Sequence, residues 1–277
     1  MIEYLNYSFF QNALAGVAII SVAAAMIGTY IIARRLVAIS GGITHACFGG
    51  LGLGYYLGIS PIATAALFAV GSALGVEWLS AKGRVREDSA IAVVWSVGMA
   101  VGVLLVFLTP GFVPELNTFL FGNILTVSRG DLWAFGAYTI LLAAFFAWKF
   151  RVIVACAFDA DFARVNQLPV RWINMAMTIM TALCIVLTIR LVGIMLLMSM
   201  ISLPQMTAEV FVRKFKSIMA LSAVISLTCG LCGLALATII DVPCSALMVA
   251  VMCGAYFICR VAKYLSGVTA KKARDEA

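Results

Sequence analysis

The chain has 277 residues, of which 64% are hydrophobic and only 11% charged, with a mean hydropathy of +1.10. A water-soluble domain carries about 45–50% apolar and about 25% charged residues, so a soluble fold is excluded and an integral membrane protein is expected. The net charge of +7 is spread over short segments between apolar runs, which reads as membrane topology and not as a nucleic-acid surface.

A helix needs about 20 apolar residues to cross the hydrocarbon core. Runs of that kind lie near 9–33, 36–58, 61–81, 90–109, 131–149, 172–190, 192–210, 217–240 and 244–262. Their length and continuity exclude the alternating ten-residue strands of a barrel. The expected fold is an all-α polytopic bundle of eight to nine transmembrane helices in one transmembrane domain over 1–277. The stretch 172–210 reads either as two spanning helices or as one spanning helix followed by a broken one.

The opening "MIEYLNYSFF" has no positively charged n-region, so the first apolar run is expected to be retained. With nine alternating segments, every basic residue except Arg129 and Arg190 falls on one side. By the positive-inside rule that side is cytoplasmic, with the C-terminus inside and the N-terminus outside.

The second run contains "SGGITHACFGG", which holds the single histidine of the chain, His45. Its position in the run places it near the bilayer midplane. An ionisable group at that depth faces a cavity, a transport path or a hydrogen-bonding neighbour. Glycines at Gly50, Gly54 and Gly58, at Gly71 and Gly75, and at Gly98 and Gly102 have the four-residue spacing of close helix packing. Glu77 is a carboxylate inside a spanning run, expected to snorkel or to pair with Lys82. An outer connection is expected over 110–130, ending in "SRGD", where Ser128 caps a helix with Asp131 near its dipole. An inner connection is expected over 151–171. Within it "DADFARVNQ" forms a short amphipathic helix, with Phe162 and Val165 on one side and Leu168–Pro169 ending it.

Further along, Arg190 and Asp241 sit at outer helix ends, either paired with each other or with Asp241 offering a carboxylate at an outer mouth. The methionines of "GIMLLMSMISLPQM" read as core packing, and the "CGLC" at Cys229–Cys232 as small buried hydrophobes. No phosphate-binding loop, structural zinc spacing or Ser/His/Asp set occurs, which is poor material for an enzyme. A proton- or ion-coupled carrier would need more intramembrane charge than His45 and Glu77 supply.

Several blocks together resemble the permease subunits of bacterial ABC importers for zinc, manganese and iron. "ISGGITHACFGGLGLGYYLG" is similar to that family's serine-aspartate-x-x-serine-histidine-alanine block and the glycine-rich helix after it. "FLFGNILTVSRGDL", "FDADFARVNQLPVRWIN", "RLVGIMLLMSMISLPQMTA" and "DVPCSALMVAV" follow in the family's order. The resemblance implies a multi-pass permease of the bacterial inner membrane that dimerises with a second copy or a paralogue. It implies a cytoplasmic ABC ATPase dimer docking on Asp159, Phe162, Ala163, Leu168 and Pro169, and an extracytoplasmic metal-binding protein that delivers the ion. No permanently bound cofactor is expected, only a transported divalent metal ion meeting His45 on the second helix, with Asp241 as a metal contact at the outer mouth. Two departures stand out. Gly41 occupies the position of the family aspartate, which leaves a softer site that suits zinc or iron better than manganese. Gln167 replaces the usual glycine of the coupling loop, where a helix is expected to continue through it. A permease for a metal chelate such as a siderophore or cobalamin is the alternative reading.

Overall fold

The computed structural model describes residues 6–82, 85–110, 122 and 124–275. Among them the chain is built from helices and has no strand: α1 (Ser8–Ala33), α2 (Val37–Leu57), α3 (Pro61–Lys82), α4 (Glu87–Leu108), a 3-10 turn (Ile124–Thr126), α5 (Arg129–Phe158), α6 (Ala160–Val165), α7 (Val170–Phe211), α8 (Phe215–Ile240) and α9 (Cys244–Asp275). Eight of these are long and apolar enough to cross a membrane. Helices are the form lipid permits here, because each satisfies its own backbone N–H and C=O groups. The outer connection expected over 110–130 lies mostly outside the described residues.

The 42-residue α7 would measure about 60 Å if straight, twice the hydrocarbon thickness. It is not straight. Gly193 breaks it with φ 78° and ψ 174°, a conformation open essentially to glycine. Before the break, Asn174 lies against Tyr30 near the end of α1 (3.5 Å), and Arg190 reaches Asp131 at the start of α5. After the break, Met206, Glu209 and Val210 line a cavity with Arg34 and Arg35, back at the first end. The chain therefore reverses at Gly193, and the two halves run antiparallel. Of the two readings of 172–210, the pair of helices is the observed one, so the eight long helices of the described residues supply nine long helical segments.

The reversal is sealed by Gly122, whose missing Cβ would fall on the backbone of Val192 and Gly193. In the second half of α7, Pro204 cannot donate to the carbonyl of Met200. The buried amide of Gln205 takes over, with Nε2 donating to Met200 O (3.2 Å) and to Ala24 O of α1 (2.8 Å). The same amide thus repairs a helix and ties it to its neighbour.

Helices α1, α2 and the two halves of α7 form the interior, with Ile20, Ile27, Ile43, Met177 and Leu191 fully buried. Helices α4 and α9 lie at the periphery and expose Leu104, Phe107, Phe257 and Ile258. Helix α2 packs between α3 and α4 through glycine. Cβ atoms at Gly50 and Gly54 would strike the backbones of Thr64 and Pro61, and at Gly98 and Gly102 those of Ala46 and Phe48. The packing expectation fails at Gly71 and Gly75, where nothing lies within 4 Å. Those two glycines line an apolar cavity of 540 Å³ with Leu53, Phe68 and Val97. It fails also at Gly58, whose φ of 66° ends α2.

Helix α5 corrects another expected boundary. It was expected to stop at 149, and it bends at Lys149 and runs on to Phe158. Ile153 and Cys156 stay buried there, so apolar contact continues past the first charges. The inner connection is correspondingly shorter than 151–171.

Candidate functional site

The connection after α5 is a compact device. Asp159 caps α6, its Oδ1 accepting from the backbone N–H of Asp161 (3.1 Å) and Phe162 (2.8 Å). At the other end, Gln167 N–H donates to Arg164 O and Leu168 N–H to Ala163 O. That is the Schellman pattern, which requires a left-handed residue, and Gln167 supplies it with φ 55°. The expectation that a helix continues through Gln167 is therefore corrected: α6 ends at Val165. Ala163 is fully buried, and Leu168 packs against the core. Pro169 then starts α7 as its N-cap. Phe162 and Val165 point outward, 60% and 83% exposed. Five expected residues thus divide cleanly: Asp159, Ala163, Leu168 and Pro169 hold the helix, and Phe162 is presented on it.

His45 sits mid-way along α2 and is half-buried. Its ring stacks flat on Trp95 of α4, with centroids 4.4 Å apart and planes 3° from parallel, and Phe48 lies 6.2 Å away. Among the described residues Nδ1 is buried without a hydrogen-bond partner, so the reading of a histidine bonded to a neighbouring helix is not what the ring does there. One turn earlier, a Cβ on Gly41 would lie 3.2 Å from Met198 Cε and 3.9 Å from the Trp95 ring. Met198 Sδ lies 4.0 Å from the Thr44 hydroxyl. Its thioether fills the space that a carboxylate side chain at position 41 would enter.

Trp95 and Met198 are the residues that sequence reasoning missed. Trp95 had a signal: it precedes Gly98 and Gly102 by three and seven residues, on the α4 face that glycine packing presses onto α2. Met198 read as core. Met200 is fully buried as expected, whereas Met195 and Met206 are exposed.

Arg190 pairs with Asp131 and not with Asp241. Its Nε donates to Asp131 Oδ1 at 2.9 Å, while Asp131 Oδ2 accepts from the Ser128 backbone N–H (3.3 Å) and Asp131 N–H donates to Ser128 Oγ (3.1 Å), which completes the capping box. Asp241 ends α8 in a left-handed conformation (φ 58°) and is exposed, and no described contact joins it to His45. Glu77 lies in a cavity of 510 Å³ with Arg164, Arg171 and Asn174, and its Oε2 has no partner among the described residues. The Lys82 side chain expected beside it lies outside the described residues. Among the described residues no group of three His, Cys, Asp or Glu side chains is placed to hold a metal.

The pattern of the ABC 3 transport family matches residues 6–263. A Synechocystis protein described as uncharacterized membrane protein slr2045 is 34% identical over 93% of this chain and 92% of its own. The manganese transport system membrane protein MntC of Halalkalibacterium halodurans is 30% identical over 90% of this chain and 85% of its own. Among solved structures, a chain of PsaBC from Streptococcus pneumoniae in complex with Fab superposes with a TM-score of 0.82 at 24% identity, covering 94% of this chain and 95% of that one.

Proposed function

This chain belongs to the ABC 3 transport family, and from that premise we propose that it is the membrane-spanning permease of an ATP-driven importer of divalent transition-metal ions. Permeases of this family are transport subunits and not enzymes, and ATP is hydrolysed by a separate subunit. The protein works in the bacterial inner membrane, N-terminus outside, as a dimer with a second copy or a paralogue. An extracytoplasmic metal-binding protein delivers the ion. ATP-driven closure of the ATPase dimer moves α6, and the bundle alternates access to the His45 region.

The observation that carries this reading is α6. A short helix capped at both ends, anchored by buried Ala163 and presenting exposed Phe162 and Val165, is built to receive a partner and not to fill a core. Asp159→Ala removes both capping bonds and costs about 1 kcal/mol of local helix stability. The expected result is weaker co-purification of the ATPase with unchanged membrane insertion. Full ATPase recovery with this variant would remove the cap from the coupling role.

The cargo reading rests on the surroundings of His45. Imidazole and thioether donors without a carboxylate favour a borderline ion, zinc or ferrous iron, over hard manganese. Gly41→Asp places a carboxylate one turn from His45, with the flexible Met198 tip free to swing aside. The expected result is a shift of about tenfold in uptake preference from zinc toward manganese. The decisive experiment is uptake into proteoliposomes holding the permease and its ATPase, comparing free zinc, iron and manganese with ferric siderophore and cobalamin. Uptake of chelates alone would replace this proposal with the chelate permease.

A further inference from the structure

On the face that carries the basic residues, the ends of α1, α5, α7, α8 and α9 enclose a cavity of 960 Å³. Arg34, Arg35, Arg213, Arg260 and Lys263 line it, against the single carboxylate of Glu209. These cations arrive from three separate parts of the chain. Positive-inside topology alone asks only for basic residues near helix ends, as Lys214 and Lys216 provide; it does not ask that they converge on one hollow.

Two of the five are already engaged within the protein. Arg34 donates to the Tyr30 hydroxyl (3.1 Å) and Lys263 to the carbonyl of Val210. Among the described residues, Arg35, Arg213 and Arg260 have no ion-pair partner. Arg35 is held in the left-handed conformation (φ 59°) by a Schellman closure, its N–H donating to Ile32 O and that of Leu36 to Ile31 O. The closure fixes its place at the end of α1 at a cost in backbone strain. Like charges lining a concave wall of low dielectric concentrate a positive potential, which an anion would relieve. Phe158, Phe215 and Ile218 supply an apolar section of the wall, beside Thr29 and Tyr256.

We infer that this cavity seats a phosphate-ester anion carried by an anionic phospholipid of the same leaflet, its phosphate against Arg35, Arg213 and Arg260 and its glycerol end against Phe158 and Phe215. Free inorganic phosphate shares the charge chemistry but has nothing to place on the apolar wall. Basic pockets between spanning helices on the cytoplasmic side are where anionic headgroups are recognised.

The test uses the full-length permease with its ATPase in nanodiscs of phosphatidylcholine, with and without phosphatidylglycerol, reading the thermal midpoint of the permease. The expected result is a rise of about 3–6 °C with phosphatidylglycerol, as for a ligand near saturation. The pair Arg213→Gln with Arg260→Gln should lose most of that rise while keeping its midpoint in phosphatidylcholine. The pair Lys214→Gln with Lys216→Gln, which removes the same charge outside the cavity, should keep it. Arg213→Lys with Arg260→Lys should keep most of it, which guards against misfolding of the glutamine pair. A rise from millimolar inorganic phosphate in phosphatidylcholine discs would support the phosphate site and reassign its source to the free anion. No rise with either, equal losses in both glutamine pairs, or a rise that follows the ATPase whatever the lipid would overturn the inference.

Discussion

His45→Ala is expected to lower metal uptake by at least about 100-fold while the permease still inserts and still binds its ATPase. The size follows from what the ring is: the single imidazole of the chain, midway along α2, with a buried Nδ1 that no group among the described residues satisfies. Loss of mere support around a metal ion already costs about 10–100-fold, and loss of a donor, the role proposed for His45, should exceed that. The structural cost is separable. The flat stack on Trp95 is worth about 0.5–1.5 kcal/mol, too little to unfold a bundle of this size. His45→Phe sharpens the test because it keeps a ring on Trp95 and removes both nitrogens. It should match alanine in uptake and wild type in thermal midpoint. Normal uptake by His45→Phe would take the histidine out of the mechanism.

The largest effect on stability is expected at Gly193. Alanine there must hold φ 78° and ψ 174°, at a cost of about 1–3 kcal/mol, or else straighten the reversal and pull α7 out of register. Gly122→Ala attacks the same place from the other side, because its Cβ would fall on the Gly193 backbone nitrogen. Both variants should reach the membrane in reduced yield and lose their monodisperse peak at lower temperature in a detergent melt. The two sites touch, so their combined loss should be less than the sum of the separate ones. A Gly193→Ala protein with wild-type melting and uptake would show that the chain reverses there without needing glycine.

What could be read in advance and what could not divides by the range of the interaction. Apolar runs of spanning length are properties of single segments, and they foretold the helices. The expected Ser128 cap, with Asp131 in the first turn of α5, is equally local and is present. Gln167 misled because glutamine is a fair helix former, and only the backbone reveals that a glycine-like conformation is imposed on it. Lys149 and Arg151 looked like the end of a helix because charge marks the edge of the bilayer. A helix need not stop where the membrane does, and α5 continues while Ile153 and Cys156 find buried partners. The Arg190–Asp131 pair and the seating of Met198 beside Gly41 join parts of the chain far apart in sequence. No periodicity carries such contacts; they follow from the reversal at Gly193, which itself read only as one of two alternatives.

The closures at either end of α6 have a mechanical consequence. One residue, Asp159, separates α6 from α5, and four, Asn166 to Pro169, separate it from α7. Those few are pinned by the cap and the Schellman bonds. A push on Phe162 therefore meets almost no slack and is delivered to two long rods together. One of them, α7, has a single knuckle at Gly193, and beyond it the returning rod carries Met198 to Gly41 and Thr44, one turn and one residue before His45. Under the proposed function, a partner pressing on α6 would reach the surroundings of His45 through a lever with one joint, and a slack joint beside α6, made by inserting flexible residues, should weaken that coupling.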